Sequence, residues 1–489
     1  YEAALSPCTA TAYGADCTGH SVLLDLRSNV LHPYPIATNR GARRGRCSPM
    51  ARSVRINVPG TGGPNTLLQT GSFSDGDRVA RLFSPATVWV ELPSFLAVRR
   101  WYASDMILAD GRLLILGSLR QFNFKFFPHD DAAPALTFFP FLDETSEPDA
   151  ENNLYPFLHL LPEGAVVFDP YNRAPLRCLP AVLGGVPRNY PSSGSSVLLP
   201  LRPDAPTHVE VLVCGGAPRG AYHLALRNNT FLPAYRTCAR VAPTDPDPVW
   251  AIEEMPVGRV MGNMVLLPTG DVLIVNGAAH GTAGWELGRG PVTVPVLYRP
   301  DAQLGSRFET LEASSTPRMY HSSATLDTYG RVLVGGSSPH VGYVFANTTY
   351  PTKLSLEAYL PLYMDSRLDG VRPRLLAAPA EVGYGEATAV RFALPVRAGD
   401  DGDTAALGEV RVAAVAPPFA THSFGMNQRV VELGVGRVAR LDVGVYEAEV
   451  TAPPTPGIAP PGYYLWFVVH ASVPSSAAWV RMRPLGPAT

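Results

Sequence analysis

A short apolar run that closes on glycine recurs along this chain and constrains its fold more than any other feature. It reads Gly111-Arg-Leu-Leu-Ile-Leu-Gly117, Val211-Leu-Val-Cys-Gly-Gly216, Gly270-Asp-Val-Leu-Ile-Val-Asn-Gly277 and Gly330-Arg-Val-Leu-Val-Gly-Gly336. Weaker copies are Thr66-Leu-Leu-Gln-Thr-Gly71 and Gly164-Ala-Val-Val-Phe168. Such a strand belongs inside a twisted sheet, and its terminal glycine lets the backbone turn tightly where space is short.

Successive copies lie about 45 to 60 residues apart, near the kelch length of ~50 residues in which four strands make one blade. The repeat therefore predicts an all-β chain with a kelch-type β-propeller, blades stacking radially because none can bury both faces alone. A set of unrelated sandwiches with Gly-ended strands is the plainer alternative. The 44 glycines and 49 prolines of the 489 residues fit either, since both residues interrupt long helices. No apolar run approaches the ~18 to 20 residues of a membrane span. With 42 acidic against 40 basic residues there is no basic field for nucleic acid.

After about residue 368 the texture changes. Ala389-Val-Arg-Phe-Ala393, Glu409-Val-Arg-Val-Ala413, Arg429-Val-Val-Glu-Leu433 and Tyr463-Tyr-Leu-Trp-Phe-Val-Val469 alternate or run apolar between turn-rich loops, which predicts an antiparallel, Ig-like β-sandwich. The expected domains are 1–368 for the propeller and 369–489 for the sandwich.

Six cysteines, Cys8, Cys17, Cys47, Cys178, Cys214 and Cys238, contain no CxxC pair and suggest disulfides in an oxidising compartment. Cys214 and Cys238 flank a Gly-rich loop and are expected to pair, and Cys8 with Cys17 similarly. Asn228 and Asn347 head Asn-x-Thr sequons, in agreement with a secreted, glycosylated protein. The chain starts at Tyr1 with no signal-peptide pattern, so any leader is expected to have been removed or to lie outside this sequence.

P-loop, GxGxxG, HExxH and GxSxG motifs in a convincing context are absent, which leaves phosphate cradling, zinc proteolysis and serine hydrolysis unsupported. Tyr320 and His321 adjoin each other in Arg318-Met-Tyr-His-Ser-Ser323. Neighbours on a regular strand point to opposite faces, so they share a metal only at a strand end or kink. A packed tyrosine beside a hydrogen-bonded histidine is the other reading.

Six ordered strings decide the context: Arg99-Arg-Trp-Tyr-Ala-Ser104, Asn152-Asn-Leu-Tyr-Pro-Phe-Leu-His-Leu-Leu-Pro162, Asn189-Tyr-Pro-Ser-Ser-Gly-Ser-Ser196, Arg318-Met-Tyr-His-Ser-Ser323, Thr421-His-Ser423 with Asn427-Gln-Arg429, and Pro460-Pro-Gly-Tyr-Tyr464. In these the chain resembles the galactose oxidase and glyoxal oxidase family of copper radical oxidases, above all its plant glyoxal-oxidase-like branch. The resemblance implies seven blades, one copper ion on the axis, and a sandwich loop that sends a histidine into the channel. It makes Tyr102 the equatorial tyrosinate that becomes a radical, Tyr320 the axial tyrosine and proton acceptor, and His321 and His422 the imidazole ligands. Imidazole with tyrosinate suits Cu(II). The implied reaction oxidises small aldehydes or primary alcohols, sugar derivatives included, and reduces O2 to H2O2 in a secreted, monomeric enzyme of the cell wall. Trp101 could wall the substrate channel.

Two departures stand out. In the family the radical tyrosine is joined by a thioether to a cysteine, and counting back without gaps from Leu67-Leu-Gln-Thr-Gly71 puts Ile56 or a near neighbour, in Arg55-Ile-Asn-Val-Pro59, at that place. Cys47, in Arg46-Cys-Ser-Pro-Met50, keeps the Cys-Ser pair and fills the role if a longer loop intervenes; a disulfide, with Cys178 for instance, or a free thiol is the alternative. Only Tyr1 to Asp16 precede Cys17, which leaves the strand that completes the first blade unaccounted for. The second functional expectation is accordingly a catalytically weak or inactive propeller that binds cell-wall carbohydrate or protein.

Overall fold

A computed structural model describes residues 4–5, 20–35, 52–56, 66–71, 76–84, 88–128, 135–147, 150–168, 185–396, 407 and 409–485. They form an all-β structure in which four antiparallel meanders have four strands each. These are Arg52–Ile56, Thr66–Thr70, Ala80–Ser84 and Val88–Leu92; Ser104–Ile107, Leu113–Leu116, Asn123–Phe127 and Thr137–Phe138; Ser195–Leu198, Val211–Cys214, Thr237–Val241 and Ala251–Glu254; and Asn263–Leu266, Val272–Val275, Val296–Tyr298 and Phe308–Thr310. A fifth blade has three strands, Ser323–Leu326, Val332–Gly335 and Leu356–Tyr359.

Among the described residues the propeller thus counts five blades where seven were expected. Two further repeats are smaller. Phe157–Leu161 and Gly164–Phe168 make a hairpin, and residues 169–184, next in the chain, lie outside the described residues. Ala4–Leu5, His20–Asp25 and Val30–Pro35 make a three-stranded sheet.

The Gly-ended runs are second strands, next to the innermost. Leu113–Leu116, Val211–Cys214, Val272–Val275 and Val332–Gly335 are buried at every residue, as expected of strands covered on both faces. Their closing glycines permit a close approach. A Cβ on Gly336, whose φ is +75°, would stand 2.7 Å from the His321 carbonyl oxygen. On Gly71 it would stand 2.2 Å from that of Arg100. The repeat therefore brings the segments that enter each first strand, residues 100–103 and 318–322 among them, against the ends of the second strands.

The C-terminal sheet folds over on itself as a sandwich. Arg429–Asp442 pairs with Arg411–Ala416 through its first half and with Val445–Thr451 through its second, shifting register between Val435 and Val438. Alternation along the strands separates two cores. Val412, Ala414, Trp466 and Val468 pack with Phe392 and Val450, whereas Ala413, Val415, Leu465 and Phe467 pack with the blade residues Val197, Leu212, Val265 and Val272. The sandwich is thereby docked on the propeller by apolar burial.

Candidate metal centre

Four entry segments share one register. Arg100, Arg188, Arg259 and Arg318 are all at most 2% exposed, and each guanidinium donates to a carbonyl at the end of the neighbouring second strand: Gly117 at 2.6 Å, Gly215, Asn276 at 2.6 Å and Gly336 at 2.7 Å. Buried charge needs such partners. Two residues after each arginine stand Tyr102, Tyr190, Met261 and Tyr320, all buried. Backbone bonds link the segments in turn: Tyr155 N donates to Tyr102 O, Tyr190 N to Leu154 O, and Met261 N to Ser193 O.

This register brings three phenols together. The hydroxyl oxygens of Tyr102 and Tyr190 are 3.1 Å apart, those of Tyr190 and Tyr320 3.0 Å, and those of Tyr102 and Tyr320 3.2 Å. Trp101 stacks on Tyr102 at 4.5 Å between ring centroids, and Tyr190 at 4.3 Å. Burial first, and the neighbouring phenols second, push Tyr102 and Tyr320 well above the ordinary phenol range.

His321 and His422 complete the cluster, their ring centroids 4.7 Å apart. His321 Nδ1 lies 2.9 Å from the Ser338 carbonyl oxygen, which can only accept, so Nδ1 carries the proton and Nε2 the bare lone pair. That Nε2 is buried with no hydrogen-bond partner. Burial lowers the His321 pKa to about 4, partly offset by the Ser338 bond, so the ring is neutral at pH 7. His422 comes from the sandwich, on the hairpin of Phe419–Thr421 and Phe424–Met426, where Thr421 pairs with Phe424 and His422-Ser423 form the turn. Both turn residues have positive φ, 50° and 73°. Such a two-residue turn ordinarily calls for Asn-Gly. The Tyr155 hydroxyl at 3.1 Å and the Thr421 hydroxyl at 2.8 Å engage His422 Nδ1.

The next residues hold this hairpin in place. Asn427 Oδ1 accepts from Ile107 N at 2.7 Å, Gln428 Nε2 donates to Met264 O at 2.9 Å, and Arg429 Nη1 donates to Ile458 O at 2.6 Å. Two blades and a sandwich loop therefore fix the position of His422. Tyr102, Tyr155, His321 and His422 all have left-handed backbone, a conformation that costs non-glycine residues about 1–3 kcal/mol and gathers at functional sites.

Among the described residues no three His, Cys, Asp or Glu side chains converge. The buried donors here are imidazoles and phenols, nitrogen and oxygen ligands that suit Cu(II) and not calcium, and the bare Nε2 of His321 fits a metal. Tyr190 and Tyr155 were not singled out from the sequence, although both stand in quoted strings. The Arg-x-Tyr spacing at Arg100, Arg188 and Arg318 was the signal for Tyr190.

The disulfide, the sequons and two further histidines lie away from the cluster. Cys214 and Cys238 are disulfide-bonded and face each other across adjacent strands. Asn228 and Asn347 are exposed. His159 and His340 bond elsewhere, to Ser196 Oγ and to Glu286 with Tyr350 O. Cys8, Cys17, Cys47 and Cys178 lie outside the described residues. Beside Tyr190 a cavity of about 260 Å³ is lined by Glu147, Asn152, Pro191, Ser192, Arg219 and His223, among others.

Residues 5–363 match the glyoxal oxidase N-terminus and residues 372–482 the galactose oxidase-like early set domain. An aldehyde oxidase of Vitis pseudoreticulata is 40% identical, covering 96% of this chain and 87% of its own. One of Arabidopsis thaliana is 37% identical, over 96% and 75%. A fungal alcohol oxidase solved in complex with copper shares the fold, with a TM-score of 0.70 at 15% identity over 98% of this chain and 94% of that one. With both halves of the molecule matched, the chain belongs to the glyoxal oxidase family, its C-terminal domain being galactose oxidase-like.

Proposed function

We propose that this chain is a secreted copper radical oxidase that converts small aldehydes or primary alcohols and releases H2O2. The observation that carries the reading is the convergence of Tyr102, Tyr320, His321 and His422, with a bare, buried His321 Nε2. These four would hold one copper ion, which when bound supplies a one-electron couple and draws charge from the substrate oxygen. The propeller is assigned to 1–368 and the sandwich, with its histidine hairpin, to 369–489.

The protein's part in the reaction follows from the arrangement. Ser338 and Tyr155 orient the two imidazoles. Tyr320 accepts the proton of the substrate hydroxyl, an alcohol or a hydrated aldehyde. Tyr102, one electron short, takes a hydrogen atom from the substrate carbon. The second electron would pass to the one-electron couple that bound copper supplies, so that the substrate loses two electrons and two protons in all, and O2 takes up the same number to leave as H2O2. Trp101 and the cavity beside Tyr190 would line the approach.

Cys47 is assigned as the thioether partner of Tyr102. Ile56 pairs with Thr66 and Arg52 with Thr70, the residue before Gly71, which packs against Arg100. Ile56 therefore lies about 13 Å further along its strand than Arg52 from the end that packs against Arg100, at ~3.3 Å per residue. Cys47 precedes Arg52 by five residues, just as Tyr190 precedes Ser195–Leu198. That spacing favours the longer-loop reading.

The test is copper loading under air, followed by absorption spectroscopy of the oxidised protein, peroxide assay with methylglyoxal and an aldehyde and alcohol panel, and peptide mapping. The expected results are a radical band lost in Tyr102→Phe, peroxide release, and a Cys47–Tyr102 peptide lighter by two hydrogens. No peroxide from fully loaded protein across the panel would replace this reading by that of a non-catalytic, wall-binding propeller.

A further inference from the structure

Tyr190 has no role in the four-ligand set, yet its hydroxyl lies within hydrogen-bond reach of both phenols in it, 3.1 Å from Tyr102 and 3.0 Å from Tyr320. Packing alone does not require a phenol at this register. The corresponding residue after Arg259 is Met261, which is 2% exposed, so an apolar side chain fills the same place in another blade. A buried hydroxyl costs stability unless it is bonded, and among the described residues the hydroxyl of Tyr190 bonds to the two phenols that the proposed chemistry uses. Its ring lies nearly parallel to that of Tyr102, inclined by 26°.

We propose that Tyr190 is a positioning residue of this centre, whose O–H donates to the Tyr102 oxygen when that oxygen is charged and whose ring packs along the phenol that is oxidised. The proposal rests on the copper oxidase reading. A hydroxyl has one proton to give. A donor strengthens its bond when the acceptor is ionised, so this bond favours the phenolate of Tyr102 over the neutral phenoxyl. Tyr190 therefore raises the potential at which Tyr102 gives up its electron and makes the oxidised residue a stronger oxidant. One electron leaves Tyr102, to a ferricyanide-class oxidant in the test or to O2 in turnover. No bond of Tyr190 breaks, and its proton stays on its own oxygen.

The experiment is a spectroelectrochemical titration of the copper-loaded full chain, monitored at the radical band, for the wild type and for Tyr190→Phe, Tyr190→His and Tyr102→Phe. Tyr190→Phe keeps the ring and is expected to keep the band but move the midpoint to lower potential. Tyr190→His restores a donor and is expected to move the midpoint back toward wild type, which a merely structural role would not do. An unchanged midpoint in Tyr190→Phe, with the band abolished by Tyr102→Phe, overturns the role of Tyr190 alone. A band that survives Tyr102→Phe overturns the radical reading itself. Should Tyr190→Phe fail to fold, a wild-type midpoint in Tyr190→Leu, or a His variant shifted as far as Leu, counts against the proposal.

Discussion

The second strands Leu113–Leu116 and Val272–Val275 can be exchanged in kind: each is apolar throughout and buried at every residue. Residues 100–103 and 318–322, which enter the neighbouring first strands, are buried apart from the partly buried Trp101 and His321 but carry Arg, Tyr and His, with Tyr102 and His321 in left-handed backbone. One class obeys burial alone and repeats faithfully. The other accepts buried charge and strained backbone, and there the blades differ in chemistry: the register residue is Tyr102, Tyr190 or Tyr320 in three cases and Met261 in the fourth. Strain and polar burial persist where the surroundings over-determine them.

The sharpest way to break this comparison is at the ligands. His321→Ala removes the bare Nε2, and copper affinity measured by competitive titration should fall by more than the ~10- to 100-fold that loss of an outer partner alone costs. The unfolding midpoint of the metal-free protein should stay near wild type. A large loss of metal-free stability with unchanged copper affinity would make His321 a packing residue.

The arginines separate fold from site. Arg100→Met and Arg259→Met each remove a guanidinium donor from two carbonyls, Gly117 O and Asn123 O in one case, Asn276 O and Val294 O in the other. Each should cost about 2–4 kcal/mol in denaturant unfolding, at ~1–3 kcal/mol for a buried acceptor left without its donor. Only Arg100→Met, two residues from Tyr102, should also weaken copper binding. Equal effects on copper would erase the distinction between a tyrosine register and a methionine register.

Glycine offers a smaller version of the same contrast. A Cβ at Gly277 would meet Val260 O at 2.3 Å, and one at Gly336 would meet His321 O at 2.7 Å, with φ of +101° and +75°. Gly277→Ala and Gly336→Ala should each cost about 2–3 kcal/mol. Copper affinity should drop in Gly336→Ala alone.

The same contrast explains what could be read from the sequence. The propeller and sandwich were legible because a four-residue apolar run between glycines leaves few alternatives, and alternation in Tyr463-Tyr-Leu-Trp-Phe names its two faces. The blade count was not: Gly164–Phe168 carries the repeat yet, among the described residues, pairs with Phe157–Leu161 alone, and run composition does not report how many strands follow. Tyr102, Tyr320, His321 and His422 stood out through long strings, whereas Tyr190 looked like one more aromatic residue until register showed it level with Tyr102. Tyr155 has no arginine before it and reaches the centre through Tyr102 O and His422 Nδ1, contacts between residues far apart in the chain.

The smallest effect concerns a histidine buried outside the centre. His159 Nε2 lies 2.7 Å from Ser196 Oγ, and burial, with the Arg429 charge behind it, lowers its pKa to about 3. The unfolded chain protonates this residue near pH 6.5, as an unperturbed imidazole does, while the folded protein excludes the proton until about pH 3. Between those values the unfolded state binds more protons, so stability is full above about pH 6.5 and falls as the pH drops, by at most ~1.4 kcal/mol per unit for one group. In metal-free protein the loss between pH 7 and pH 5 should therefore be about 1–2 kcal/mol larger in wild type than in His159→Gln, which cannot titrate. Equal losses would show that the folded protein admits the proton, placing His159 with the polar, adaptable entry segments rather than with the closed apolar sheets that its strand, Phe157–Leu161, otherwise resembles.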